Sequence, residues 1–166
     1  MKPRVILILR HAEKPVPADG LPGLSAQGRI RAAALPSLFR STDGRAPRLP
    51  IPDALFATHP TERSNRPAET LLPLSQAMQL PVDNRYGREE HRSLAGELLS
   101  GVHADSVALI CWHRGGMQSL AESLGIANAP SWSEAVYDRI WIIEYSGARA
   151  ALIDLPQRLL PGDAQQ

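Results

Sequence analysis

Apolar residues along the chain form short runs that alternate with segments of helical spacing. The runs at residues 5–9 and 107–112 are continuous, which is typical of central strands that are covered on both faces. Further runs at residues 53–58, 139–145 and 150–155 also predict strands.

Amphipathic spacing between these strands predicts four helices, at residues 25–39, 64–78, 89–100 and 116–124. Ser25 stands where an N-cap residue is expected, just ahead of the first helix. Strands that alternate with helices predict an α/β fold, here a three-layer α/β/α sandwich with a mainly parallel central sheet. In such a sheet, the loops at the carboxyl ends of the strands are the expected position of a ligand site.

The composition limits the size of the protein and the kinds of partner. With 166 residues, 43% of them hydrophobic, the chain is long enough for one domain, which we place at residues 1–160. The polar tail at residues 161–166 is expected to fray. A net charge of +1 gives no overall field that favours nucleic acid or a membrane, and the oligomeric state stays open.

The length of the apolar runs and the number of cysteines bear on where the protein is found in the cell. The apolar run at residues 5–9 is too short for a signal peptide, and no stretch approaches the ~20 apolar residues of a membrane helix. We therefore expect a soluble, cytoplasmic protein. Cys111 is the single cysteine, which excludes an internal disulfide and a multi-cysteine zinc site.

Histidine and arginine follow the two most apolar strands, at the point where each strand ends. Arg10 and His11 come after the first run, and His113 comes directly after the run at residues 107–112. Because the ends of parallel strands meet at one edge of the sheet, His11 and His113 are expected to face a common cleft. Arg66 lies where a predicted helix begins, which is a favourable position for an anion.

Four segments, in order, resemble the signature motifs of the histidine phosphatase superfamily, also called the phosphoglycerate-mutase-like family. The first family motif is a strand followed by Arg-His-Gly, often with glutamate next, and this chain has Arg10-His11-Ala12-Glu13. The family pattern Leu-Ser/Thr-x-x-Gly-x-x-x-Ala is matched by Leu24-Ser25-Ala26-Gln27-Gly28-Arg29-Ile30-Arg31-Ala32. The pattern Ser-x-Arg-x-x-x-Thr is matched by Ser64-Asn65-Arg66-Pro67-Ala68-Glu69-Thr70. The second catalytic histidine of the family is matched by His113. Each match is weak alone, but the ordered set, from Leu7 to about Leu124, is specific.

The resemblance implies a phosphoryl-transfer mechanism on the matched residues. Neutral His11 would attack phosphorus through Nε2 while a backbone carbonyl fixes the proton on Nδ1. Arg10 and Arg66 would bind the phosphoryl oxygens, and His113 would add a further donor. The arginines take the charge-neutralising role that a metal ion has elsewhere, so no metal and no cofactor is expected.

The proton donor to the leaving group is the least constrained part of the site. The superfamily usually takes it from the segment after the arginine helix, which here contains Glu89 and Glu90. We place it at Glu89, with Glu90 and Glu13 as alternatives, and we interpret Glu97 as a solvated helix residue. The acid-phosphatase branch of the family has an aspartate proton donor directly after the second histidine, whereas this chain has Arg114 at that position.

Three further departures from the family pattern concern the first motif and the segment before Arg66. Alanine replaces the motif glycine at Ala12, and the usual Ser-Pro is replaced by Thr58-His59-Pro60. The connection from this segment to Arg66 is also longer than in the family.

Other chemistries are disfavoured by missing partners. His11-Ala12-Glu13 fits the His-x-Glu of zinc deaminases, but the required Pro-Cys-x-x-Cys is absent. Cys111 lies inside an apolar strand and lacks the Cys-x5-Arg loop of cysteine phosphatases. The remaining histidines and the tryptophans show no ligand spacing or stacking pattern and are expected to be structural or surface residues: His59, His91, His103, Trp112, Trp132 and Trp141.

The sequence thus predicts a metal-independent phosphomonoesterase with a phosphohistidine intermediate. Its partner is expected to be a small phosphorylated metabolite or a phosphohistidine protein. The alternatives are a phosphomutase of the same family and a non-catalytic phosphate-binding domain. The loops at residues 15–23 and 127–138 are expected to contact the rest of the substrate, whose identity the sequence does not give.

Overall fold

The computed structural model describes all residues, 1–166, as one six-stranded sheet with helices on both faces. The strands are Val5–Arg10 (β1), Ala54–Ala57 (β2), Val82–Asp83 (β3), Val107–Trp112 (β4), Arg139–Ser146 (β5) and Arg149–Pro156 (β6). The helices are Ala26–Ala34 (α1), Arg66–Met78 (α2), His91–Leu99 (α3) and Arg114–Ser123 (α4), with a 3-10 helix at Leu35–Phe39 after α1. No helix is both long and apolar enough to cross a membrane.

The sheet is mostly parallel, as predicted. Its strand order is β3-β2-β4-β1-β5-β6. The first four strands pair in parallel, whereas β5 is antiparallel to β1 and β6 is antiparallel to β5. A tight turn joins β5 to β6, and Gly147 supplies the left-handed conformation there with φ +60°. The carboxyl ends of β1, β2 and β4 therefore lie along one edge.

The core lies on both faces of the sheet because alternate side chains of β1 and β4 point to opposite sides. On one face, Ile6 and Ile8 belong to a cluster that includes apolar residues of α3 and α4. On the other, Leu7 and Leu9 belong to a cluster that includes apolar residues of α2 and the 3-10 helix. All six residues of β1 and of β4 are buried, which explains why these two strands read as continuous apolar runs.

Two elements differ from the prediction. The first predicted helix is divided, since α1 ends at Ala34 and a 3-10 helix follows. Pro36 explains the change, because it has no N–H for the α-helical ladder and its ring crowds the preceding turn. The second difference is β3, which was not predicted because two half-buried residues give no periodic signal.

The tail also differs from the prediction, because residues 161–166 are not free of the domain. Asp163 is 7% exposed and accepts hydrogen bonds from Arg31 at 3.0 and 2.8 Å. The backbone N–H of Ala164 donates to Asp138 at 2.7 Å. A buried charge is stabilised by pairing, and the tail supplies Arg31 of α1 with a second carboxylate in addition to Glu13.

Candidate active site

The structure brings His11 and His113 together at the edge where β1 and β4 end. Arg10 is in register with Trp112, and the His11 N–H donates to the Trp112 carbonyl at 3.1 Å. This pairing continues the ladder by one residue, so the two imidazoles emerge side by side. Their ring centroids are 5.6 Å apart with an interplanar angle of 72°.

The environment of His11 suits a neutral nucleophile. Its side chain is buried, and Nδ1 lies 2.7 Å from the carbonyl oxygen of Ala12. If Nδ1 donates its proton to that carbonyl, the lone pair is on Nε2, which has no partner in the protein. Burial lowers the pKa of His11 to about 3, and the charges of Arg10 and Arg66 add to this effect against the opposing Ala12 hydrogen bond.

Arg10 is held by hydrogen bonds from its two terminal guanidinium nitrogens. Its Nη1 donates to the carbonyls of Glu134 and Val136 at 2.6 and 3.0 Å, and Nη2 donates to the Tyr137 hydroxyl at 3.1 Å. The guanidinium also stacks on the Tyr137 ring, 3.8 Å from its centroid. Arg10 Nε is buried without a hydrogen-bond partner. Such an unpaired buried donor next to His11 is what an oxyanion ligand would satisfy.

Arg66 is fixed in the same way at the start of α2. Its Nε donates to the Gly23 carbonyl at 3.0 Å and its Nη2 to the Leu21 carbonyl at 2.5 Å. Nη1 makes no hydrogen bond with the protein. The two carbonyls belong to the loop after β1, so this loop orients the arginine and leaves one guanidinium nitrogen for a ligand.

Thr70, the threonine of the Ser-x-Arg-x-x-x-Thr motif, has a structural role. It links the loop after β1 to helix α2, which supplies Arg66. Its Oγ1 accepts the N–H of Ala12 at 2.9 Å and donates to the Arg66 carbonyl at 2.7 Å. The residue that fixes His11 and the helix that supplies Arg66 are thus linked by one hydroxyl.

His113 is half-buried at the N-terminus of α4, and its environment also favours the neutral ring. Burial lowers the pKa of His113 to about 4, with further contributions from the nearby charges of Arg88, Arg66 and Arg10. A neutral imidazole there can donate one hydrogen bond to a phosphoryl oxygen.

The structure does not bring the predicted acids to these groups. The side chain of Glu89 is 85% exposed and lies 3.4 Å from Arg88 Nε. Glu90 accepts the N–H of Gly87 at 2.7 Å, and Glu13 is paired with Arg31 at 2.9 Å. No hydrogen bond or ion pair joins any of the three to His11 or His113, so the donor role of Glu89 stays a prediction without a supporting contact.

A polar cleft of about 460 Å³ opens beside His113 and was not foreseen from the sequence. No hydrophobic residue lines it. The lining residues are His59, Thr61, Glu62, Arg63, Ser64, Arg88 and His113. The only signal in the sequence was the long connection before Arg66, which forms most of this wall. Tyr137 was also missed, although it lies in a loop predicted to contact substrate.

Cys111 and the remaining histidines take no part in this site, except His59 in the cleft wall. Cys111 is fully buried, and burial raises the pKa of its thiol, so the thiolate needed for nucleophilic attack is disfavoured. His103 contacts Glu97 at 3.2 Å and packs edge-on against Phe56 of β2. No three histidine, cysteine or acidic side chains cluster in a way that would hold a metal ion.

Solved structures share this fold. A protein of Agrobacterium tumefaciens assigned as the phosphohistidine phosphatase SixA superposes with a TM-score of 0.55 at 19% identity, covering 93% of this chain and 99% of that one. A phosphoglycerate mutase from Bacillus anthracis gives a TM-score of 0.56 at 12% identity, covering 91% of this chain and 92% of that one. No protein-family profile and no curated protein matches the sequence.

Both solved structures are members of the histidine phosphatase superfamily, and the chain has their phosphoglycerate-mutase-like fold. The resemblance seen in the motifs is therefore confirmed at the level of the fold. At these identities the comparison does not assign an activity to the site, which rests on the side chains described above.

Proposed function

We propose that the protein is a phosphomonoesterase that transfers the phosphoryl group of its substrate to His11 and then to water. One observation carries the proposal. His11 has its Nδ1 fixed by a backbone carbonyl and its Nε2 free, between two arginines that each keep an unused donor. A binding module would not require a buried imidazole held in one orientation beside those donors.

The two steps use the same groups. The Nε2 lone pair forms the N–P bond while the P–O bond to the leaving group breaks, and the leaving oxygen keeps the electron pair and takes up a proton. Arg10, Arg66 and His113 donate to the phosphoryl oxygens, whose charge they stabilise. Water then attacks phosphorus, the N–P electrons return to Nε2, and the water loses a proton as phosphate is released.

Hydrolysis is favoured over mutase activity by the access of water. His113 is only half-buried, and the cleft beside it is polar and open to solvent. A phosphoenzyme in such a site meets water readily, whereas a mutase must exclude it. The substrate is a small phosphorylated metabolite or a phosphohistidine protein, and the likeness to the Agrobacterium protein supports the second class.

The test is to trap the intermediate. Wild-type protein treated with a radiolabelled phosphoryl donor such as acetyl phosphate, then quenched in base, should carry label that is stable in base and lost in acid. His11→Ala should carry none, and EDTA should not change the result because arginines supply the positive charge. His91→Ala is the matched control on a surface helix. Label that persists in His11→Ala, or turnover that needs an added metal, would overturn the proposal, and transfer to a second alcohol rather than water would favour the mutase.

A further inference from the structure

The turn between β2 and α2 carries a carboxylate into the cleft beside His113. Thr61 and Ser64 form an isolated bridge, with backbone hydrogen bonds of 2.9 and 3.2 Å between them. The Thr61 Oγ1 also lies 3.2 Å from the Ser64 nitrogen. Glu62 and Arg63 are therefore the two central residues of a closed turn, and both line the cleft.

Glu62 is the only acidic residue among those that line the cleft. It forms no ion pair or hydrogen bond within the protein, so its carboxyl group is available to a ligand. The other acids near the site are engaged elsewhere, since Glu13 pairs with Arg31 and Glu90 caps the N–H of Gly87. Glu69 likewise accepts the N–H of Leu24 at 2.8 Å.

The rest of the cleft wall suits the leaving group of a phosphate ester. His59, Arg63 and Arg88 supply donors, and no hydrophobic residue is present. In the function proposed above, the phosphoryl group is bound between His11, Arg10 and Arg66. A leaving group directed past His113 would enter this cleft, with its oxygen on the side that Glu62 lines.

We propose that Glu62 is the proton donor to the leaving oxygen, an assignment that rests on the phosphatase function proposed above. As the P–O bond breaks, its electron pair stays on the leaving oxygen, and the Glu62 carboxyl gives that oxygen its proton. The carboxylate so formed takes a proton from the water that attacks the phosphoenzyme, which restores the carboxyl. The inserted turn thus replaces the acid that the family places after the arginine helix.

The experiment compares two aryl phosphates of similar size but different leaving group. Release of phenol from phenyl phosphate and of p-nitrophenol from p-nitrophenyl phosphate is followed in single turnovers of the full chain. General acid catalysis contributes about 10²–10⁴-fold. Glu62→Gln should therefore lower phenol release at least about 100-fold but p-nitrophenol release less than about tenfold, since the nitrophenolate leaves unprotonated. Glu144→Gln, the same change in an exposed residue at the end of the sheet opposite His11, should leave both rates unchanged. Glu89→Gln tests the acid predicted from the sequence.

Equal losses on the two esters, no loss on phenyl phosphate, or a selective loss in Glu89→Gln would overturn the role of Glu62. Folding is not at issue, because the turn is closed by backbone hydrogen bonds and Glu62 is exposed, and circular dichroism checks this. Failure of the proposed function looks different. In that case the wild-type protein releases neither phenol nor p-nitrophenol, and His11 takes up no label.

Discussion

At the scale of single residues, His11 shows what the sequence could and could not predict. The strand-end pattern and the family motif predicted its position and its backbone-carbonyl partner. In the structure burial is the largest cause of its lowered pKa, and the arginines add to it. Burial depends on how the loops cover the strand end, which a motif does not describe.

The pH dependence of His11 follows from this environment. Because the pKa of His11 is lowered to about 3, the neutral ring should persist far below the pH of ordinary histidine titration. In two-dimensional NMR of the resting protein, a histidine signal with a midpoint near this value should be present in wild type and absent in His11→Ala. The acidic limb of kcat/KM should lie correspondingly low. A His11 midpoint near ~6.5 would show that the side chain is solvated.

At the scale of elements, apolar strands were predictable and polar contacts were not. The predicted range of β4 agrees with the structure, and β1 is one residue longer, because buried strands need continuous apolar side chains. The loop that contains Glu62 and the position of Glu89 depend on how two connections pack. Charged residues on connections carry no periodic signal. The sequence therefore named Glu89, Glu90 and Glu13 as candidate acids but could not show how near each lies to His11.

The contact between α1 and the loop after β1 gives a prediction at this scale. A Cβ at Gly28 would lie 2.3 Å from the Glu13 carbonyl oxygen, which is backbone and cannot turn away. Gly28→Ala should therefore destabilise the fold by about 1–3 kcal/mol, as overpacking does. It should also lower activity, because Glu13 adjoins the Ala12 carbonyl that orients His11. Urea unfolding and kcat/KM measure the two effects.

Gly96→Ala is the matched control for this change. Gly96 lies in α3, and a Cβ there meets no atom within 4 Å. The added methyl should stabilise the helix by about 0.5–1 kcal/mol and leave activity unchanged. If Gly28→Ala behaves like Gly96→Ala, the close approach of α1 to the loop does not constrain the site.

At the scale of the whole molecule, the site depends on segments far apart in the sequence. Arg10 is held by carbonyls of residues 134 and 136, and Arg66 by those of residues 21 and 23. Arg31 joins Glu13, next to the site, to Asp163 in the tail. The sequence shows each arginine but not its partner, because pairing across such distances is decided by the fold. The tail was expected to fray because the sequence does not show that Asp163 pairs with Arg31.

The pair between Arg31 and Asp163 supplies the last prediction. Their side chains are 5% and 3% exposed and meet at 2.8 Å. Burial alone would raise the pKa of Asp163, but hydrogen bonds from Arg31 and from two backbone N–H groups lower it to about 2. Leaving a buried charge unpaired costs about 3–5 kcal/mol. Arg31 keeps its contact with Glu13, so Asp163→Asn should lose less than this in urea unfolding, but more than an exposed pair contributes. Asp154→Asn is the control, because that surface pair with Arg139 contributes at most about 1 kcal/mol.

The pH dependence of this loss has a definite sign. A carboxyl whose pKa is lower in the folded than in the unfolded chain stabilises the fold above its unfolded pKa, and this stability disappears as the pH falls through the folded value. For Asp163 the window runs from the reference value of 3.8 down to about 2. The difference in unfolding free energy between wild type and Asp163→Asn should therefore be constant above that window and shrink within it. A loss no larger than that of Asp154→Asn, or one that grows as the pH falls, would mean that the tail does not anchor Arg31.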